Sequence, residues 1–253
     1  MQLSEQWVLV TGGARGLGVA ITRALAREGA GVVINYYRSE QAARALADEL
    51  GPRVIALQAD VTDADAVRRL VDSAQAQTGA PIVSVVNNAL AEFQFDGDAR
   101  PKVGDIGWAR FQQQIDGSLK GALNTLQATL PAMRAAHFGR IVNVGTNLFQ
   151  NPVVPYHDYT AAKAALLSFT RTAANDLGPD GITANMVSGG LLRTTDASAA
   201  TPEAVFDLIA SLTPLRRVTT PEEFADAVLF FLSPWARAVT GQNLIVDGGL
   251  VKG

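Results

Sequence analysis

The segment Tyr159-Thr160-Ala161-Ala162-Lys163 sets a phenol and an ammonium four residues apart, a spacing that on a helix places both on one face about one turn apart. The two can reach one ligand. An ammonium stabilises phenolate, so the pair predicts a tyrosine of lowered pKa that serves as acid or base closer to neutral pH. Alone, Tyr-x-x-x-Lys is a surface pair in most proteins, and its weight comes from the rest of the chain. Composition closes other routes. Cysteine is absent, which removes disulfides, thiolate metal sites and a cysteine nucleophile. A net charge of −3 with interspersed signs offers no basic face for nucleic acid, and no apolar run approaches membrane-spanning length. Met1 to Gln6 are polar and run straight into a strand-like segment, so the expectation is a cytoplasmic chain without a signal peptide.

The strongest local signal is Thr11-Gly12-Gly13-Ala14-Arg15-Gly16-Leu17-Gly18, which follows a strand-like run and opens a helix-like one. Glycines let the backbone turn tightly and approach a pyrophosphate, whose charge then meets free N–H groups at the positive end of the helix. The spacing is Gly-x-x-x-Gly-x-Gly, and its position between strand and helix points to a dinucleotide. An acid at the end of the second strand would hold a ribose 2′-hydroxyl and repel a 2′-phosphate. None is there. The chain reads Asn35-Tyr36-Tyr37-Arg38-Ser39, with Arg38 available for bidentate phosphate contact and Arg15 able to approach from the glycine loop. The reading is NADPH/NADP+ in preference to NADH.

The elements that must position these groups alternate. Strands are expected at Trp7–Val10, Val32–Ile34, Val54–Leu57, Ile82–Val86, Arg140–Val144, Ile182–Val187 and Leu244–Val246, each a short, largely apolar run. Between them fall helices from Leu17 to Glu28, from Ser39 to Leu50, after a Thr62 cap with Asp65 at N3, from Trp108 to Ala136, from Asp158 to Leu177, and two more before the last strand. At 253 residues with no obvious linker, this predicts one α/β domain over residues 1–253: a Rossmann-like, doubly wound, seven-stranded parallel sheet with helices on both faces. A long polar loop, Ala91 to Asp105, is a candidate entrance, and Phe93, Phe95, Trp108 and Phe149 are candidates to line a substrate pocket, although aromatics at such spacings are as often core. His157 lies two residues before Tyr159 and could touch substrate, while His137 ends a helix, where the dipole is explanation enough.

Taken in order, these motifs resemble the short-chain dehydrogenase/reductase family over essentially the whole chain. Thr11 to Gly18 matches its cofactor loop, Asp60-Val61 its adenine-contacting pair, Asn87-Asn88-Ala89 the motif after the fourth strand, and Tyr159 with Lys163 the catalytic pair. Gly190 and Thr194, with Leu192 between them, match the segment that touches the nicotinamide. Thr240-Gly241-Gln242 and Val246-Asp247-Gly248-Gly249 match the family's C-terminal ending.

The chain also departs from the pattern. Thr146 stands where the family has its catalytic serine, thirteen residues before the tyrosine, and keeps a hydroxyl for a substrate carbonyl. Ser118 stands at the family's asparagine, Leu90 at a glycine and Gly189 at a proline. The resemblance implies carbonyl reduction in which Tyr159 donates the proton, Lys163 holds the nicotinamide ribose, Thr146 orients the carbonyl and Ser118 carries water to the lysine. It implies a small-molecule carbonyl substrate and a homotetramer built through the two long helices and the last strand. The nearest likeness is to bacterial 3-oxoacyl-(acyl-carrier-protein) reductases, with acyl carrier protein or a coenzyme A thioester as partner. His137 and Asp180 stand at helix ends where those reductases tend to carry arginine. Other small ketones or alcohols are the alternative substrates, and an NADP(H)-binding sensor or scaffold without catalysis is the alternative of another class.

Overall fold

The computed structural model describes residues 1–90, 93, 95, 97–193, 195 and 198–252, with the backbone alone at 98. Seven strands, β1 (Trp7–Val10), β2 (Gly31–Tyr36), β3 (Val54–Gln58), β4 (Ser84–Asn87), β5 (Gly139–Thr146), β6 (Ile182–Gly189) and β7 (Asn243–Val246), form one sheet in the order β3-β2-β1-β4-β5-β6-β7. All neighbours are parallel. The order reverses between β1 and β4, which opens a crevice at the carboxyl ends of the strands, where doubly wound sheets take their ligands.

The helices are α1 (Gly16–Arg27), α2 (Glu40–Leu50), α3 (Ala64–Thr78), α4 (Trp108–Ile115), α5 (Gly121–Ala136), α6 (His157–Leu177), α7 (Glu203–Leu212) and α8 (Pro221–Leu232). Successive residues of a strand face opposite ways, and β1 feeds two cores accordingly. Val8 and Val10 pack with Ile21 and Leu25 of α1 and Phe224 and Val228 of α8. Leu9 packs on the other face with Leu70 of α3, Leu126 and Met133 of α5 and Leu177 of α6. Burial of each such side chain contributes roughly 1.5–3 kcal/mol, and both faces must be covered for the sheet to hold. Among the described residues, no helix is long and apolar enough to cross a membrane.

Two expectations are corrected. Asp63, not Thr62, caps α3: its carboxylate accepts from the backbone N–H groups of Asp65 and Ala66, while the Thr62 hydroxyl donates to Asp60. Adjacent residues competed for one cap, and the stronger acceptor took it. The helix expected from Trp108 to Ala136 is interrupted by a π-helical turn at Asp116–Lys120, a device that often marks functional sites and that carries Ser118.

Candidate active site

The glycine segment between β1 and α1 is a cradle that a side chain would fill. Gly12 and Gly16 have φ of +62° and +50°, a region L-residues rarely adopt. A Cβ on Gly18 would lie 2.1 Å from the Gly12 carbonyl oxygen. Arg15 occupies the N-cap position of α1 without a side-chain capping bond, so the first N–H groups of the helix face the crevice free of a protein cap. The cradle is tied to the end of β4. Thr11 Oγ1 accepts from the backbone N–H groups of Asn88 and Ala89, each at 2.9 Å, and the Asn88 amide donates to the carbonyls of Thr11 and Gly12 at 3.0 and 3.2 Å. Gly13 N–H donates to the Asn35 carbonyl, and the Asn35 side chain donates to the Ala59 carbonyl, so the ends of β1, β2, β3 and β4 are tied together by hydrogen bonds.

Around this cradle stand the remaining residues expected to hold a dinucleotide. The Asp60 carboxylate accepts twice from Thr62. Val61 packs against Gly121, and its carbonyl accepts from Asn124 at 2.8 Å. Arg15 and Arg38 are exposed, with the Arg38 guanidinium 5.0 Å from the centre of the Tyr37 ring. Ser39 precedes α2 without making a side-chain cap bond. At the far end of the crevice, Gly190 leaves no room for a Cβ beside Asn147 and Asp247, and Leu192 bridges to Thr219. Thr194 lies outside the described residues.

Across the crevice, Thr146 ends β5 and Tyr159 and Lys163 lie on α6, both all but fully buried. Burial pushes the Tyr159 phenol up to about 12, with a hydrogen bond to Thr146 pulling the other way. Burial also lowers Lys163 to about 8. Burial thus moves the tyrosine opposite to the lowering expected from the lysine. The lysine Nζ donates to the Val144 carbonyl at 2.7 Å and stands 5.9 Å from the centre of the Tyr159 ring, and burial is the largest influence on the phenol. Ser118 and Lys163, with Thr11, Asn87 and Ala89, line a small space of about 10 Å³, on the scale of one water. The Ser118 hydroxyl is buried with no protein partner.

Beneath the site runs a polar network that the sequence reading missed. Thr125 donates to Asn87, Asn87 to Asn143, Asn143 to Thr170, and Thr170 to the Leu166 carbonyl, all at 2.7–2.8 Å. Every member is satisfied, which lets such a chain stiffen the site; the available signals were Asn87, in the motif after the fourth strand, and an asparagine inside the apolar strand β5. Asp247, read in the sequence only as part of the C-terminal motif, has a role there that the motif did not reveal. Its carboxylate accepts from Asn147 Nδ2 at 2.9 Å and from the backbone N–H groups of Gly249 and Val251, so the residue after Thr146 is anchored to the C-terminal segment.

The aromatic candidates divide. Phe93 stacks on Tyr159 with centroids 4.5 Å apart and planes 19° from parallel, and Phe95 meets the same ring edge-on at 5.8 Å. Phe149 packs instead with Ala122, Leu166 and Met186, and Trp108, 69% exposed, stacks on Phe111 at the surface. His157 is the first residue of α6, and His137 caps α5 at φ +46°.

A glycine cradle at a helix start facing a buried tyrosine and lysine across a topological switch point is the layout of a dinucleotide-dependent oxidoreductase. The family profile described as enoyl-(acyl carrier protein) reductase matches residues 12–251. A cis-4-hydroxycyclohexanecarboxylate dehydrogenase of Sinomonas cyclohexanicum is 36% identical, over 97% of this chain and 96% of its own length. A 3-oxoacyl-(acyl-carrier-protein) reductase of Staphylococcus epidermidis is 31% identical over 96% and 97%. The crystal structure of a 3-oxoacyl-(acyl-carrier protein) reductase from Brucella melitensis with bound NAD superposes with a TM-score of 0.87 at 32% identity, covering 100% of this chain and 94% of that one. The chain belongs to the short-chain dehydrogenase/reductase family and is an NAD(P)-dependent oxidoreductase.

Proposed function

We propose that the protein is an NADPH-dependent reductase of ketones, with Tyr159 as proton donor. The observation that carries the reading is the Tyr159 phenol, buried on α6 one turn before the buried Lys163 and hydrogen-bonded to Thr146. The chemistry a bound NADPH supplies is a hydride for the carbonyl carbon. Gly12, Gly13, Ala14, Gly16, Leu17 and Gly18 form the cradle for its pyrophosphate, and Asn88 and Ala89 hold that cradle to β4. Asp60 and Val61 take the adenine end, Lys163 the nicotinamide ribose, and Gly190, Leu192 and Thr194 the nicotinamide. Arg15, Arg38 and Ser39 select the 2′-phosphate, because β2 ends without the acid that would repel it.

In the chemical step, Thr146 and Tyr159 hydrogen-bond the substrate carbonyl oxygen, and Tyr159 gives that oxygen its proton as negative charge develops there. The C=O bond becomes C–H and O–H, and the phenolate regains its proton from solvent. Ser118, Lys163 and the one-water space between them are the path for that return.

Two substrate classes are supported by the relatives, a 3-oxoacyl thioester on acyl carrier protein and an alicyclic alcohol or its ketone, and a coenzyme A thioester is the small-molecule form of the first. The exposed side chains of Trp108, Leu123, Trp235 and Leu244, on or beside the helices and the last strand expected to pair, support a homotetramer, which light scattering would show. The test of the function is NADPH oxidation by the purified protein with a short 3-oxoacyl thioester and a panel of simple ketones, beside NADH. Turnover with NADPH is expected, whereas cofactor binding with no turnover of any carbonyl would move a non-catalytic binding role to the front.

A further inference from the structure

The approach to Tyr159 is walled by rings. Phe93, Phe95 and Tyr156 meet one another edge-on at 4.9–5.5 Å, and Phe93 also lies flat on the Tyr159 ring. The wall is fastened to the chain entering α6. The Gly97 N–H donates to the Tyr156 hydroxyl at 2.9 Å, and Arg100 donates to the Pro155 and Gly97 carbonyls at 3.2 and 3.1 Å. Phe93 and Phe95 both remain partly exposed, so apolar aromatic surface stands open beside a buried proton donor.

Flat rings give their largest contact to another ring, and they offer no donor or acceptor to a polar chain. A thioester arm carries amides as well as its thioester carbonyl, and laying these against Phe93 and Phe95 would strip their water without replacing it. A ketone carried on a ring needs only its oxygen satisfied, and Thr146 and Tyr159 do that.

We propose that Phe93 and Phe95 are the specificity-determining residues of this site and that they select a ketone or secondary alcohol carried on an alicyclic or aromatic ring over an open-chain 3-oxoacyl thioester. This rests on the ketone-reductase reading. The wall acts in binding, so its loss is read mainly in KM.

The experiment compares wild type, Phe93→Ala and Phe93→Leu with 4-methylcyclohexanone, heptan-2-one of the same carbon count and acetoacetyl-coenzyme A, all with NADPH. Calorimetric binding of 4-methylcyclohexanol and heptan-2-ol to the protein with NADP+ runs beside it. Wild type is expected to show kcat/KM at least about tenfold higher for the ring ketone than for either open-chain substrate. Both variants are expected to lower that preference about tenfold through KM, and Phe93→Leu, which keeps bulk and loses the flat face, guards against a merely misfolded alanine variant. Turnover without ring preference, or an equal loss on all substrates, would overturn the wall and leave the reductase reading standing. Ring-selective binding that Phe93→Leu abolishes, with no turnover of any ketone, would support the wall and sink the reductase reading.

Discussion

The two sides of the crevice are built differently. On the cofactor side, the ends of β1 to β4 are laced by backbone and asparagine hydrogen bonds, and glycines fix the approach distance by steric necessity. On the substrate side, the wall is made of side-chain rings, and a buried hydroxyl at Ser118 lacks a protein partner. Backbone hydrogen bonding tolerates no change of ligand, whereas rings and loops can be exchanged without disturbing the sheet.

The contrast breaks first at Gly18. Gly18→Ala would set a Cβ against the Gly12 carbonyl and Asn88, and NADPH affinity measured by fluorescence is expected to fall at least about a hundredfold, near 3 kcal/mol. Affinity within threefold of wild type would show that the cradle is not where the dinucleotide sits. Arg38 sharpens the same side. Loss of a charge-assisted bond worth about 1.5–3 kcal/mol predicts that Arg38→Glu lowers the NADPH-to-NADH ratio of kcat/KM about tenfold or more, and an unchanged ratio would remove Arg38 from 2′-phosphate selection.

The substrate side is tested through Lys163, whose pKa falls from 10.5 to about 8 on burial. Between those values the unfolded chain binds the extra proton, so stability rises with pH through this window; below pH 8 the cost of the buried ammonium is present in full. Relative to Lys163→Met, wild type should therefore gain on the order of 2–3 kcal/mol between pH 7.5 and pH 10.5, read from paired denaturant titrations. A pH-independent difference would mean that the amine is solvated in the folded chain. The smallest effect is expected at Ser118. Because its buried hydroxyl has no protein partner, Ser118→Ala should not lower unfolding free energy while lowering kcat for ketone reduction, and an unchanged kcat would exclude it from the proton path.

Much of this was legible in the residue pattern. Apolar runs gave seven strands to within two or three residues, because a parallel sheet buried on both faces leaves no polar alternation to confuse the signal. The glycine loop was readable because close approach to a helix start constrains residue type locally. The π-turn at Asp116–Lys120 was not, since one extra residue per turn barely alters a long helical period. Nor was the Thr125–Asn87–Asn143–Thr170 chain, which exists only once β4, β5, α5 and α6 are in register. The upward shift of Tyr159 was not legible for a related reason: spacing placed the lysine on the same face as the phenol, but the depth of burial that raises the phenol is a tertiary property.

The most direct test of the account is Tyr159→Phe assayed for NADPH-dependent reduction of the best ketone, with NADPH affinity measured on the same preparation. The account predicts loss of turnover by about 10² to 10⁴-fold with the NADPH dissociation constant nearly unchanged. Turnover within tenfold of wild type would contradict it, because the proton would then have to come from somewhere other than the buried phenol.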